Sequence, residues 1–373
     1  MNVEHKDINK FIPYGEMLRG YSSQNLISKA DIDRILRERG IFALNQEKAY
    51  TVPILQTLLL SPKEFEELRH SFSEREDNEK TISREIPWIS GKSIFIKDIL
   101  SVKEDNFVKK FLPTCELKRP IYFTKLNDDE NHLIADFMLI RRDRNKAWFE
   151  QTNIFSGKIE LINKQGKGNI RITYTAPETK YLAEQIVKTQ IKKYKEKGLI
   201  SEDETLKKII FSDFTNESRF IFFYRLTTQL DTDFFTCKNI RDISIKPAED
   251  MLLPDEIKWM DNMKKILLSG DNLDQKFFMK DPKYHKSIFL WSIEAVFSYE
   301  YKSEKGNMAL VLGFPDYFSD KNNAEFEINI SQFNTEKRVD AKTKKKLKSQ
   351  LLSEIDRQKI LVYDKFLEDM KGK

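Results

Sequence analysis

The sequence predicts an α+β chain: a small N-terminal helical domain, a larger mixed domain with antiparallel sheet, and a C-terminal helix. Three observations predict it. Helix-start and helix-stop signals crowd the first seventy residues, β-branched and aromatic runs separated by turn clusters fill the middle, and a Lys-rich segment with leucines near helical spacing closes the chain. The boundaries fall at 1–75 for the helical domain, 76–335 for the α+β domain and 336–373 for the basic C-terminal helix. With 373 residues, 40% hydrophobic, 12 Gly and 11 Pro, the chain is neither disordered nor linker-dominated. A chain this long buries about 75% of its unfolded surface and needs no disulfide or metal to fold.

In the first domain, Ser28 is placed to cap a helix through Ile32, Ile35 and Leu36, with Gly40 as its left-handed stop. Pro53 to Leu60 reads as a buried helix. Ser61-Pro62-Lys63-Glu64 is a capping box that opens another through Phe65 and Leu68. The charged stretch Ser71 to Lys80 reads as a linker. Beyond it, strands are expected at Ile94-Phe95-Ile96, Ile121-Tyr122-Phe123, Ile134 to Ile140, Ala147 to Ile154, Lys158 to Ile162 and Asn169 to Tyr174. A helix near 177–198 starts at Pro177 and ends at Gly198, and Asn216 to Leu226 reads as a Phe-rich helix or a strand. Asn239 to Lys246 suits a strand, and a helix near 253–269 runs through Trp259, Met260, Met263 and Leu267. Phe289 to Tyr301 and Met308 to Phe314 form a β-hairpin, and Glu325 to Ile330 adds a strand. No internal repeat is legible.

Chemistry is sparse. Cys115 and Cys237 stand 122 positions apart and the four histidines are scattered, so neither zinc-ligand spacing nor a disulfide framework is present. No cofactor and no metal is expected. Gly91-Lys92-Ser93 lacks the upstream glycine of a phosphate loop, because Ile86 stands there. No apolar run approaches the roughly 18 residues of a membrane span, and the polar N-terminus lacks a signal-like apolar core. A cytoplasmic protein without membrane contact is expected.

Charge is distributed unevenly. Arg141 to Arg171 and Glu336 to Lys348 each carry +5, and Lys188 to Lys197 carries +4; against a whole-chain +5, the remainder is −9. Basic runs attract polyanions by counterion release, and the interleaved Trp148, Phe149 and Tyr174 are candidates to stack on bases. Phosphate contacts are expected at Arg34, Arg37, Arg39, Arg141, Arg142, Arg144, Lys167, Lys344, Lys345 and Lys346. No catalytic residue belongs to this reading.

The segment Ser28 to Gly40, with the helix at Pro53 to Leu60, is similar to the helix–loop–helix layout of SAP and related small DNA-binding domains. Phe11-Ile12-Pro13-Tyr14-Gly15-Glu16-Met17-Leu18, Arg39-Gly40-Ile41-Phe42 and Leu58 to Phe65 together resemble the N-terminal domain of the B component of GAPS-type two-gene antiphage defence systems. That resemblance covers about the first seventy residues. It implies a non-catalytic subunit that binds or senses DNA and docks a nuclease partner encoded by a neighbouring gene. Two alternatives stand beside it. One is a divergent Mg-dependent nuclease of the PD-(D/E)xK type, with Asp281 and Glu300 holding the ion and Lys302 steadying the scissile phosphate. The other is a protein-only scaffold whose lysines serve solubility.

Overall fold

A computed structural model describes residues 11–76, 78–89, 101–102, 105–143, 145, 147–149, 151–164, 166–248, 251–321, 323–337 and 339–371. Ile94-Phe95-Ile96 and Gly91-Lys92-Ser93 lie outside the described residues.

Four helices open the chain: α1 (Glu16–Ser22), α2 (Lys29–Glu38), α3 (Lys48–Leu55) and α4 (Pro62–Glu76). The ends of α2 and the start of α4 are where the sequence puts them, whereas α3 begins and stops five residues before the expected Pro53 to Leu60, with Leu59 exposed beyond its end. Ser28 Oγ accepts from the Asp31 amide at 3.2 Å while Asp31 accepts from the Ser28 amide at 2.8 Å. Gly40, at φ 74°, and Ile41 return hydrogen bonds to the carbonyls of Arg37 and Leu36, a left-handed helix stop that glycine adopts without strain. Ser61 and Glu64 form the same reciprocal cap on α4. That helix continues to Glu76, so most of the expected linker is helical; Phe72, buried on Tyr21, supplies the packing that charge counting overlooked.

The second part is built on one antiparallel sheet. Its strands are β1 (Lys80–Ile86), β3 (Cys115–Leu117), β5 (Thr124–Leu126), β6 (Asp129–Arg142), β7 (Thr152–Lys164), β8 (Lys167–Tyr174), β9 (Phe235–Pro247), β10 (Ile266–Ser269), β11 (Ile288–Tyr301), β12 (Glu304–Gly313) and β13 (Glu327–Thr335). A separate pair joins β2 (Ser101–Val102) to β4 (Ile121–Tyr122). The helices are α5 (Asp105–Phe111), α6 (Pro177–Glu196), α7 (Asn216–Thr228), the short α8 (Phe277–Lys280) and α9 (Pro282–His285), and α10 (Ala341–Lys371). The order across the sheet is β10-β9-β11-β12-β13-β1-β8-β7-β6-β3, with β5 also on β6.

Three long antiparallel strands followed by a long helix occur twice, as β6-β7-β8-α6 and β11-β12-β13-α10, a repeat of topology that the sequence does not display. Among the described residues, β1 and β13 join the two halves through Lys80 opposite Asn329 and Thr81 opposite Ile328. Thr81 also stands opposite Thr173 of β8. Residues directly opposite share a face, so the apolar face of the second half continues the polar face of the first. Accordingly α6 covers Ile82, Ile159, Leu161, Ile170 and Ile172 on one side. On the other side, α7 and α10 cover Ile293, Phe297, Leu310, Leu312, Ile328 and Ile330.

Three further expected elements differ. Residues 253–269 hold a 3-10 turn at Asp255–Met260 and the edge strand β10 instead of a helix; β9 offers an open edge, and pairing with it overrides local helical spacing. Ala147 to Ile154 is not a strand up to Thr152. Phe149 and Trp148 leave the sheet and pack with Tyr21 and Phe72 in the helical core, Phe149 lying edge-on to Tyr21 at 5.4 Å. The hairpin of β11 and β12 turns more tightly than expected, with Tyr301 opposite Glu304. Asn216–Thr228 is a helix, capped by Thr215.

Candidate functional site

A groove of about 1640 Å³ opens where α10 crosses the polar face of the first half-sheet. Alternation builds its floor. On β6, Leu133, Ala135, Phe137 and Leu139 point to the α6 side, leaving His132, Ile134, Asp136 and Met138 for the groove. On β7 and β8 the same rule presents Ser156, Lys158, Glu160, Asn169, Arg171 and Thr173. The wall is the polar flank of α10, from Lys345 and Lys346 to Asp364; Phe234, Tyr301 and Lys302 close one end.

The helix is tied to the sheet by charge. Asp356 is fully buried and accepts from Arg171 Nε at 2.6 Å, from Lys359 Nζ at 2.7 Å and from Ser83 Oγ at 2.6 Å. Burial pushes its carboxyl up, but Lys359 and Arg171 overcome that and hold it well below the usual carboxylate range. Glu160 behaves alike: burial raises it, and Arg171 and Lys158 bring it below its ordinary value. Arg171 bonds Glu160 at 2.7 Å and the Ser353 carbonyl at 3.2 Å, and Lys158 reaches Ser349 at 3.1 Å. At the seam, Arg84 bonds Glu325 at 2.8 Å and also Glu184, while the Tyr174 hydroxyl donates to Glu327. Burial raises the Glu327 carboxyl, although Tyr174 favours its charged form.

Above these paired groups lies an unpaired basic rim. Arg119, Lys302, Lys345 and Lys346 are exposed and make no ion pair among the described residues. Lys302 holds φ 57°, left-handed backbone that lysine rarely adopts, and its ammonium lies 5.5 Å from the Tyr301 ring centre. Asp136 opens into the groove; the enclosing walls push its carboxyl up, with Lys158, Arg119 and Lys345 opposing.

Of the residues expected to meet phosphate, Lys345 and Lys346 line the groove unpaired, and Lys344 is half-buried on α10. Lys167 lines it too, paired with Asp364 at 2.8 Å. Arg141 pairs with Glu178 at 2.8 Å and lies over Phe155, and Arg142 pairs with Glu116 at 2.7 Å; neither lines the groove. Arg34, Arg37 and Arg39 sit on the helical domain, paired with Glu67 at 3.7 Å, Asp33 at 2.8 Å and Glu64 at 2.6 Å. Arg144 lies outside the described residues. Phe149 is buried in the helical core with the partly buried Trp148 packed against it, and Tyr174, buried too, is bonded to Glu327.

The nuclease constellation is not assembled. Asp281 caps α9 beside the start of β11 while Glu300 stands at its far end, roughly 40 Å away by strand rise, paired with Lys305. Among the described residues no three His, Cys, Asp or Glu side chains gather as metal ligands, and no helix is long and apolar enough to cross a membrane. Arg119 and Asp136 were not among the sequence candidates; the alternation of His132 to Leu139 is the signal that marks Asp136 as facing away from the core.

Comparison with known proteins bears on the helical domain. No curated protein matches the sequence. The crystal structure of DynU16, from the dynemicin biosynthetic locus, aligns over 78% of this chain and 98% of that one at 10% identity, with a TM-score of 0.16, too low for the folds to superpose. Residues 16–78 match the family model of the GAPS4b protein N-terminal domain, α1 to α4 of this structure. The helical unit is thus similar to the GAPS4b N-terminal domain, and that match supports a GAPS4b-type antiphage defence component.

Proposed function

We propose that the chain is the non-catalytic, DNA-contacting component of an antiphage defence complex, and that it docks a nuclease subunit encoded by a neighbouring gene. The observation that carries DNA contact is the basic rim. Arg119, Lys302, Lys345 and Lys346 come from three distant stretches of chain, yet border one groove without acidic partners of their own. Unpaired cations on a soluble surface release counterions when they meet phosphate, which gives affinity without sequence preference. The paired arginines of the helical domain and of β6 serve the fold first. The helical domain also exposes Phe42, Leu44, Tyr50 and Leu59, apolar surface that suits a protein partner.

The test is DNA binding by the purified chain at about 50 and 200 mM salt, where several phosphate contacts predict a steep loss of affinity. Charge reversal at Lys345 and Lys346 weakens binding and flattens the salt dependence; binding indifferent to both salt and reversal refutes the reading. Co-expression with the neighbouring gene product tests docking, and Leu44→Asp with Leu59→Asp reduces recovery of the pair.

A further inference from the structure

We propose that β10, the last strand of the sheet, pairs with β10 of a second copy of this chain, antiparallel about a two-fold axis at Leu268, so that two chains share one continuous sheet. The proposal goes beyond the reading above and does not depend on DNA. The two ends of the sheet are not alike. Helix α5 packs beside β3 at one end. At the other, β10 pairs with β9, and among the described residues no strand meets its outer side.

Backbone alternation decides what that side offers. The Gly270 amide donates to the Arg241 carbonyl at 2.8 Å, continuing the register of Leu268 on Ile243 and Ile266 on Ile245. Bonded positions alternate along an antiparallel pair, so Ile266 and Leu268 direct their N–H and C=O groups to β9, while Leu267 and Ser269 turn theirs outward. Both outward residues are exposed, Leu267 by 58%. Such an edge is complementary to another extended strand, which defines the chemistry of the occupant.

Charge selects a second copy as that strand. Lysine at a sheet edge ordinarily turns an incoming strand away. Here Lys265 and Asp271 flank Leu268 symmetrically, three residues to either side; both are exposed and neither has an ion-pair partner among the described residues. With Leu268 on the axis, each Lys265 falls opposite Asp271 of the other copy, and the match is made twice. Moving the axis by one residue sets Lys265 opposite Ser269 or Leu273 instead, and both matches are lost. In the matched register Leu268 stands opposite its own copy. Leu267 lies diagonal to its copy, on the face where the half-exposed Phe318 approaches the Lys265 ammonium at 5.8 Å. The helical unit, whose core receives Phe149 from the turn between β6 and β7, belongs to the far half of the sheet, so the pair carries its two helical units toward its outer ends.

The experiment is sedimentation velocity of the full chain between about 1 and 100 µM, the range in which a dimer of micromolar affinity populates. A dimer that grows with concentration is expected. Lys265→Glu and Asp271→Lys each raise the dissociation constant roughly tenfold, because the axis doubles the loss of one cross-strand charge pair. Joined in one chain, the two reversals restore it to within about threefold. Leu267→Pro removes an outward N–H that β9 does not use, so it abolishes the dimer with an unchanged melting temperature. Leu268→Cys links two chains on mild oxidation, since Cα atoms across the axis stand about 4.5–5.5 Å apart, and Lys265→Cys does not. A chain that stays monomeric at about 100 µM overturns the proposal. So does a dimer that both single reversals and Leu267→Pro leave as tight as before. Should Leu267→Pro fail to fold, the reversals and their joint rescue still decide. A monomer that takes an extended segment of another protein on β10 overturns the second copy as occupant.

Discussion

Replacing Asp356 with Ala tests whether charge fastens α10 to the sheet. The substitution removes one carboxylate from a site with no solvent exposure, where it accepts from Arg171 at 2.6 Å, Lys359 at 2.7 Å and Ser83 at 2.6 Å. Arg171 retains Glu160 at 2.7 Å, but Lys359, 1% exposed, loses its anion. Breaking a buried pair on one side costs about 3–5 kcal/mol, most of it from the charge left behind. At roughly 2 °C per kcal/mol for a large domain, the sheet domain melts roughly 6–10 °C lower. Urea or thermal unfolding at neutral pH gives the number, and the double variant with Lys359→Met isolates its cause, recovering a good part of the loss by removing the orphaned cation. A loss below about 1 kcal/mol, or strictly additive single and double variants, refutes the reasoning. The pH dependence follows the same group. Its folded-state pKa lies below the unfolded value, so its contribution is complete above about pH 4 and fades as pH falls further.

Phe149→Ala removes a ring from the helical core and costs about 3–5 kcal/mol, seen as faster hydrogen exchange in α1 and α4 with β8 unchanged; exchange rising evenly through both parts contradicts the placement. Gly157→Ala brings a methyl to within 2.2 Å of the Phe137 ring that covers it from the neighbouring strand, and lowers stability by about 1–3 kcal/mol in a melt. Hydrogen bonding from Arg39 holds the Glu64 carboxyl down at about 2, so the start of α4 keeps its cap through mild acid. Its contribution is present above about pH 4.5 and is lost as pH falls through 2, a window that circular dichroism of Glu64→Gln eliminates.

Local grammar was legible. Ser28, Gly40, Ser61, Pro177 and Gly198 announce helix ends because capping and left-handed turns are decided within a few residues. Long-range choices were not. Leu267 has helical spacing from Met263 but joins the edge of β9, and Trp148 and Phe149 have strand character but fill a core formed by residues far upstream, Leu18 to Phe72. The groove is harder still, since Arg119, Asp136, Lys302 and Lys345 are neighbours only through tertiary packing. Of the three basic runs, Lys188 to Lys197 belongs to α6, on the opposite face of the sheet from the other two sets of groove lysines. Charge counted along the chain therefore finds the cations without telling which share a surface.

The two β-β-β-α units differ most in their helices, 20 residues in α6 against 31 in α10. At 1.5 Å per residue the difference is about 16 Å of length. The shorter helix seals its own half. The longer one serves both halves along the same length: Leu351, Ile355 and Val362 pack on its own half, while its polar flank is held to the neighbour by Asp356 on Arg171 and Ser349 on Lys158. An enclosure thus arises where the longer helix serves both halves, and shortening α10 from its basic end removes Lys345 and Lys346 while the wall from Ser353 to Asp364 remains.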